Sequence, residues 1–264
     1  TTEIYTLSLH DALPILLSRI SMIRNIHIIT LLTFLNIALG VSQVKNFDYK
    51  KLHSDAVVVD MHNDLLCHSK NYDWSIKHKE RHTDIPRLRL GGVDVQFFAV
   101  WISTRVKEPY KRGLETVKLF NQRVTENSKE MGAAKNFHEI TGLNKKCKIA
   151  AVLCLAAANV LEGSIAKLKE FYSLGARYMT ITWNKSYDWA VAAKDPKSKT
   201  IGLSPIGKKI IRTMDSLGMI IDVSHTGEKT IKDILQITKN PIIASHSGAY
   251  SLRAHYRNLT DEQI

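Results

Sequence analysis

The feature that most constrains this sequence is a repeating alternation. A short, nearly continuous apolar run is followed by a stretch whose apolar residues recur at helical spacing. The runs are AVVVDM at 56–61, VDVQFFAVWI at 93–102, KIAAVLCL at 148–155, RYMTITW at 177–183, MIIDV at 219–223 and PIIA at 241–244. They are rich in β-branched and aromatic residues and lack polar alternation, as strands buried on both faces do. Between them, Leu114 to Glu130 places Leu114, Val117, Phe120 and Val124 near one helical face, and Gly163 to Leu174 does the same with Ile165, Leu168, Phe171 and Tyr172. Ser204 and Pro205 open a further helix, with the serine as cap and proline in the first turn, and its apolar face is Ile206, Ile210, Met214 and Leu217. Thr226 to Thr238 is expected to turn Ile231, Ile234 and Leu235 inward. Strands separated by helices run parallel, because a parallel pair needs a crossover long enough to hold one. An open doubly wound sheet and a (β/α) barrel both satisfy this α/β pattern. No GxGxxG follows the first run, which disfavours a dinucleotide fold.

The length, 264 residues, suits one barrel of about 250. The net charge of +12 comes from 37 Lys and Arg against 25 Asp and Glu. These cations are scattered, with no basic tract and no nucleic-acid motif, so nucleic acid is not an expected partner. Cys67, Cys147 and Cys154 show no CxxC spacing. Free thiols are expected, and a Cys147–Cys154 bridge stays open.

The two ends differ from the rest. Residues 1–21 fit nothing downstream and read as a non-native leader. Met22, Arg24 and the apolar run from Ile28 to Gly40 read as a signal peptide over 22–42, with Ala38 and Gly40 at cleavage spacing. The run is short of the roughly 20 residues a membrane span needs. The expected location is therefore periplasmic or extracellular, with membrane contact only through this segment if it stays uncleaved. The barrel domain is expected over 43–264. NLTDEQI at 258–264 resembles a helix opening capped by Thr260, so the domain is expected to be truncated, with about six of eight βα units present.

The polar residues that follow the runs carry the chemistry. His62 and Asp64 follow the first, Glu162 the third, His225 the fifth and His246 the sixth. Residues just past the C-terminal ends of barrel strands form the catalytic rim. Imidazoles and carboxylates in that position suit zinc. His62 and Asp64 stand two apart, which on an extended segment puts both side chains on one side. Cys67 and His68 follow closely enough to approach the same pocket, although a structural role is the simpler reading.

VVVDMHNDLL, GGVDVQFFAVWI, the segment LEGSIAKLKEFYSLGARYMTITWNKSYDWA, GLSPIGKKIIRTMDSLGMIIDVSH and PIIASHSGAYSLRAHYRNL occur in the order in which similar segments occur in the membrane dipeptidase family. The chain resembles that family from about Tyr49 to Ile264. The resemblance implies a (β/α)8 TIM barrel of the metal-dependent hydrolase type holding two Zn2+ ions. His62 and Asp64 would bind one ion, His225 and His246 the other, and Glu162 would bridge them. Arg257 would hold the carboxylate of a dipeptide substrate, a role its planar fork suits. Trp183 stands where many animal members carry a His, which makes it a candidate substrate-side residue, with Asn184 the weaker one. The family's proton donor to the leaving amine, an Asp after the eighth strand, has no counterpart in these residues, so the chain as given is expected to be inactive. Family members are often dimers, which makes a homodimer an expectation too. Two rivals remain. One is another binuclear amidohydrolase, disfavoured because those usually open with HxH rather than HND. The other is a non-catalytic secreted barrel protein, disfavoured by the intact ligand set.

Overall fold

The computed structural model describes residues 48–67 and 72–264. The expected leader and signal peptide, and His68, lie outside the described residues. The chain divides into two units, Thr1–Leu52 and His53–Ile264, and the fold described below, from the first strand onward, belongs to the second. Helix α1 (Tyr49–Asp55) precedes it in sequence.

The strands are β1 (Val58–Asn63), β2 (Val93–Val100), β3 (Met131–Ala133), β4 (Ile149–Leu155), β5 (Ala176–Thr180) and β6 (Ile220–Asp222). They form one sheet in the order β1-β2-β4-β5-β6, with β3 pairing the opening of β4. Every pairing is parallel. The connections carry α2 (Ile85–Leu90), α3 (Pro109–Glu126), α4 (Phe137–Asn144), a 3-10 turn (Ala158–Leu161) with α5 (Ile165–Ser173), and α6 (Pro205–Leu217); α7 (Glu228–Leu235) follows β6. Ser204 caps α6 by accepting from the Gly207 N–H at 3.3 Å, and Gly218, with φ of 69°, ends it in the left-handed conformation.

The sheet separates two apolar layers. Along β4, Ile149, Ala151, Leu153 and Leu155 join the helices in one cluster, while Ala150, Val152 and Cys154, followed by Ala156, join Val95, Phe97, Ala99 and Tyr178 in the other. Strand periodicity produces this split directly, since alternate residues take opposite faces. The helix-side layer is sealed by Phe171, Leu168, Ile210 and Met214, all fully buried. Gly207 sits at a tight point in it. A Cβ there would stand 2.3 Å from the Trp189 carbonyl oxygen. Gly207→Ala is therefore expected to destabilise the fold by about 1–3 kcal/mol through overpacking, despite the better helix propensity of alanine. Chemical denaturation checks this; an unchanged midpoint would contradict it.

The structure departs from the sequence expectations in several places. The run at 241–244 contributes a single parallel bridge, Asp222 to Ile243, with Val223 N–H donating to Ile243 O at 2.8 Å and Ile243 N–H to Ile221 O at 3.0 Å. Pro241 offers no N–H, and the Ser245 N–H is drawn off the ladder to Asp222 Oδ1 at 2.9 Å. Helix α3 stops at Glu126, where the Asn127 amide donates to Arg123 O at 2.9 Å, and the short β3 and α4 follow unforeseen. Ile206 and Leu235 face solvent rather than the core, at 40% and 49% exposure. Thr260 opens a turn, its N–H donating to Gln263 Oε1 at 2.9 Å. All three cysteines are free.

Candidate metal centre

The C-terminal ends of β1 and β6, with the segment after 241–244, converge on one cavity of about 340 Å³. Of the five expected ligands, His62, Asp64, His225 and His246 line it together. The His62 Nε2 lies 3.5 Å from Asp64 Oδ1. The His62 and His246 rings stack with centroids 4.0 Å apart. His225 Nε2 faces His246 Nε2 at 3.1 Å. His225 reaches this position through a left-handed backbone, φ 65°, uncommon for a residue with a Cβ.

Hydrogen bonds behind the rings fix the tautomer of each. The Tyr178 hydroxyl donates its one proton to Met61 O at 2.8 Å, so towards His62 Nδ1, 3.0 Å away, it accepts. Ser245 Oγ donates to Asp222 Oδ2 at 2.7 Å and accordingly accepts from His246 Nδ1, also at 2.7 Å. Asn184 Oδ1 accepts from His225 Nδ1 at 3.1 Å. Each Nδ1 thus carries a proton, which turns each Nε2 to the cavity. Burial, followed by the Arg257 charge, holds His225 down to about 3. Burial, followed by His62, holds His246 down to about 4. Both rings are thus neutral at pH 7, the form that binds a metal.

Beneath the rings sits Asp222, fully buried. Its carboxylate accepts from Thr180 Oγ1 at 2.5 Å, Ser224 N–H at 3.0 Å, Ser245 N–H at 2.9 Å and Ser245 Oγ. It ties β5, β6 and the His246 segment into one support. Ser245→Ala removes the acceptor for His246 Nδ1 and is expected to weaken metal binding about 10–100-fold. A competition titration with a chromophoric chelator reads this, and an unchanged affinity would contradict it.

The remaining walls are Trp183, Trp101, Cys67 and Ala156. Trp183 meets Trp101 edge-on, with centroids 5.2 Å apart. The Cys67 thiol is pushed up to about 12 by burial and then by Asp64, so it is a neutral wall group at pH 7. Arg257 lines a neighbouring cavity of about 240 Å³ that shares His225. Its guanidinium donates to His246 O at 3.0 Å and to Ser247 Oγ at 3.3 Å.

Glu162 requires a correction, because the structure does not bring it to the cavity. Its carboxylate pairs with Lys167 and is 40% exposed. Lys167 lies over the Tyr110 ring of α3, 4.3 Å from the centroid, on the helix side of the sheet. Between β4 and Glu162 run Val160 and Leu161, both buried in the helix-side layer. The β4 position that faces the cavity is Ala156, next in the alternation after Cys154. The resemblance implies a bridge at Glu162, but the alternation along the strand brings Ala156 to the cavity instead. Tyr178, Ser245 and Asp222 were missed because their signal is a partnership across the sheet. Asn184, the weaker substrate-side candidate, accepts from His225 Nδ1.

The donors present fit a zinc-type ion in part. Among the described residues, no group of three or more His, Cys, Asp and Glu side chains already stands in metal-holding geometry. Two unprotonated Nε2 atoms at 3.1 Å nonetheless repel unless a cation lies between them. Nitrogens about 2.0–2.1 Å from one tetrahedral zinc stand roughly 3.3 Å apart. His225 and His246 would therefore suit two ligand positions on such an ion.

A family model described as membrane dipeptidase, peptidase family M19, matches residues 47–264. Dipeptidase 3 of Mus musculus is 31% identical over 224 residues, covering 80% of this chain and 45% of its own length. An uncharacterized dipeptidase of Schizosaccharomyces pombe is 31% identical over 242 residues, covering 82% and 58%. The chain spans about half the length of the curated relatives it matches. Among solved structures, a metallopeptidase of Rhodobacter sphaeroides, liganded with a phosphinate mimic of L-Ala-D-Ala, superposes with a TM-score of 0.73 at 20% identity, over 79% of this chain and 70% of that one. The probable dipeptidase PvdM of Pseudomonas aeruginosa gives 0.72 at 22% identity, over 81% and 58%. These likenesses establish the fold as part of a (β/α) barrel.

Proposed function

The chain belongs to the membrane dipeptidase family, peptidase family M19, and from that premise we propose that its cavity serves the metal-dependent hydrolysis of dipeptides. The observation that carries the proposal is the convergence of three imidazole Nε2 atoms on one cavity, each ring held by an acceptor behind Nδ1. His225 and His246 would hold a zinc ion, with His62 and Asp64 beside it. Such an ion, when bound, supplies an acidified water and polarises a carbonyl.

The chain's own residues would do the rest. Trp183 and Trp101 wall the cavity and exclude water from one side. Arg257, anchored on His246 O and Ser247, presents a cation beside His225 that suits the terminal carboxylate of a dipeptide. Asp222 and Ser245 hold His246 in place.

The phosphinate dipeptide mimic bound by the Rhodobacter sphaeroides relative provides the test. Titrated calorimetrically into zinc-loaded protein, it is expected to bind, and to lose binding after chelation. Binding that survives chelation undiminished would contradict the proposal. The apolar run at 28–40 supports export as part of the same reading. N-terminal sequencing of the mature protein should then find a start near Ser42, and an intact N-terminus would count against export by cleavage.

A further inference from the structure

We propose that this chain's centre holds one divalent ion, seated on His225 and His246, because its middle strand delivers Ala156 rather than an acid to the cavity. This rests on the metal-dependent reading above and goes beyond it in fixing how many ions the residues can retain.

Three observations carry it. First, β4 is the central strand in the order β1-β2-β4-β5-β6, so its C-terminal end stands between the His62 and Asp64 pair after β1 and the His225 and His246 pair beyond β6. A side chain meant to bridge the pairs has to come from there. The cavity-facing position at that end is Ala156, whose methyl group offers no donor atom. Second, Glu162 lies on the far side of the sheet, held by Lys167 near Tyr110 and separated from the cavity by the buried Val160 and Leu161. Reaching the cavity would mean pulling those two residues out of the helix-side layer. Third, the charge is insufficient for two ions. Three imidazoles, which bring no negative charge, and one carboxylate, Asp64, line the cavity, and the buried Asp222 beneath is committed to four donors. Two dications at the 3.5–4 Å spacing of binuclear sites repel strongly unless an anion lies between them.

The chain is stripped of metal, reloaded with excess Co2+, desalted and analysed for metal per chain by mass spectrometry, with electron paramagnetic resonance on the same samples. The expected result is one equivalent with the spectrum of an isolated Co2+ spin. Ala156→Glu, which places a carboxylate at the missing position, is expected to retain two equivalents with a spin-coupled spectrum. Glu162→Gln is expected to stay at one. Two equivalents in the unaltered chain, or loss of metal in Glu162→Gln, would overturn the proposal while leaving the metal-dependent reading intact. A folded Ala156→Glu that still holds one would overturn the role given to Ala156. No retained metal at all would overturn both the proposal and the reading beneath it.

Discussion

Replacing Asp222 by alanine is expected to destabilise the fold by on the order of 3 kcal/mol or more. The size follows from what the carboxylate accepts. Two hydroxyl groups and two backbone N–H groups, from Thr180, Ser224 and Ser245, end on it in a site with no solvent exposure. Alanine leaves those donors buried without that acceptor, and each orphaned donor costs about 1–3 kcal/mol where it cannot find another partner. Asp222→Asn keeps one acceptor oxygen and should lie between alanine and the unaltered chain. Because Ser245 would lose the group that orients its proton, the alanine variant should also bind metal poorly under conditions where it remains folded. Denaturant titration followed by tryptophan fluorescence measures the first effect. A midpoint within error of the unaltered protein would show that Asp222 is not the support described.

His225→Ala is expected to weaken zinc binding by more than 100-fold, since loss of a ligand exceeds the 10–100-fold typical of losing its hydrogen-bond partner. His246→Ala should behave alike. His62→Ala should cost less, because its Nε2 stands with Asp64 rather than on the His225–His246 edge. This ordering separates a centre built on one histidine pair from one that uses all three rings equally. Equal losses for all three variants would favour the latter.

Much of the barrel could be read from the residues. The parallel strands followed from apolar runs without polar alternation, and β2, β4, β5 and β6 lie where those runs placed them. The helices with a strong apolar face, α5 and α6, were also found, since Leu168, Phe171, Ile210 and Met214 recur at helical spacing. Local competition hid the rest. Ser245 gives its N–H to Asp222, which reduces the 241–244 strand to one bridge. Three residues with a glycine among them give β3 almost no signal of its own. The candidate site divides in the same way. His62 and Asp64 were legible because they share a phase at a strand end, and His225 and His246 because each follows an apolar run. The bridge that the resemblance implies at Glu162 is not at the cavity, because the chain through β4 counts 150, 152, 154 and 156 towards that side. The tautomer-fixing partners could not be read at all. Tyr178 is 116 residues from His62 in sequence, and only the folded sheet brings them together.

The claim on which all of this depends is that the imidazole lone pairs converge on a metal. Anomalous diffraction from crystals grown with zinc, collected on both sides of the zinc absorption edge, tests it most directly. The predicted result is a peak about 2.0–2.1 Å from both His225 Nε2 and His246 Nε2. A zinc peak elsewhere on the molecule, with these two nitrogens still facing each other across an empty gap, would contradict it.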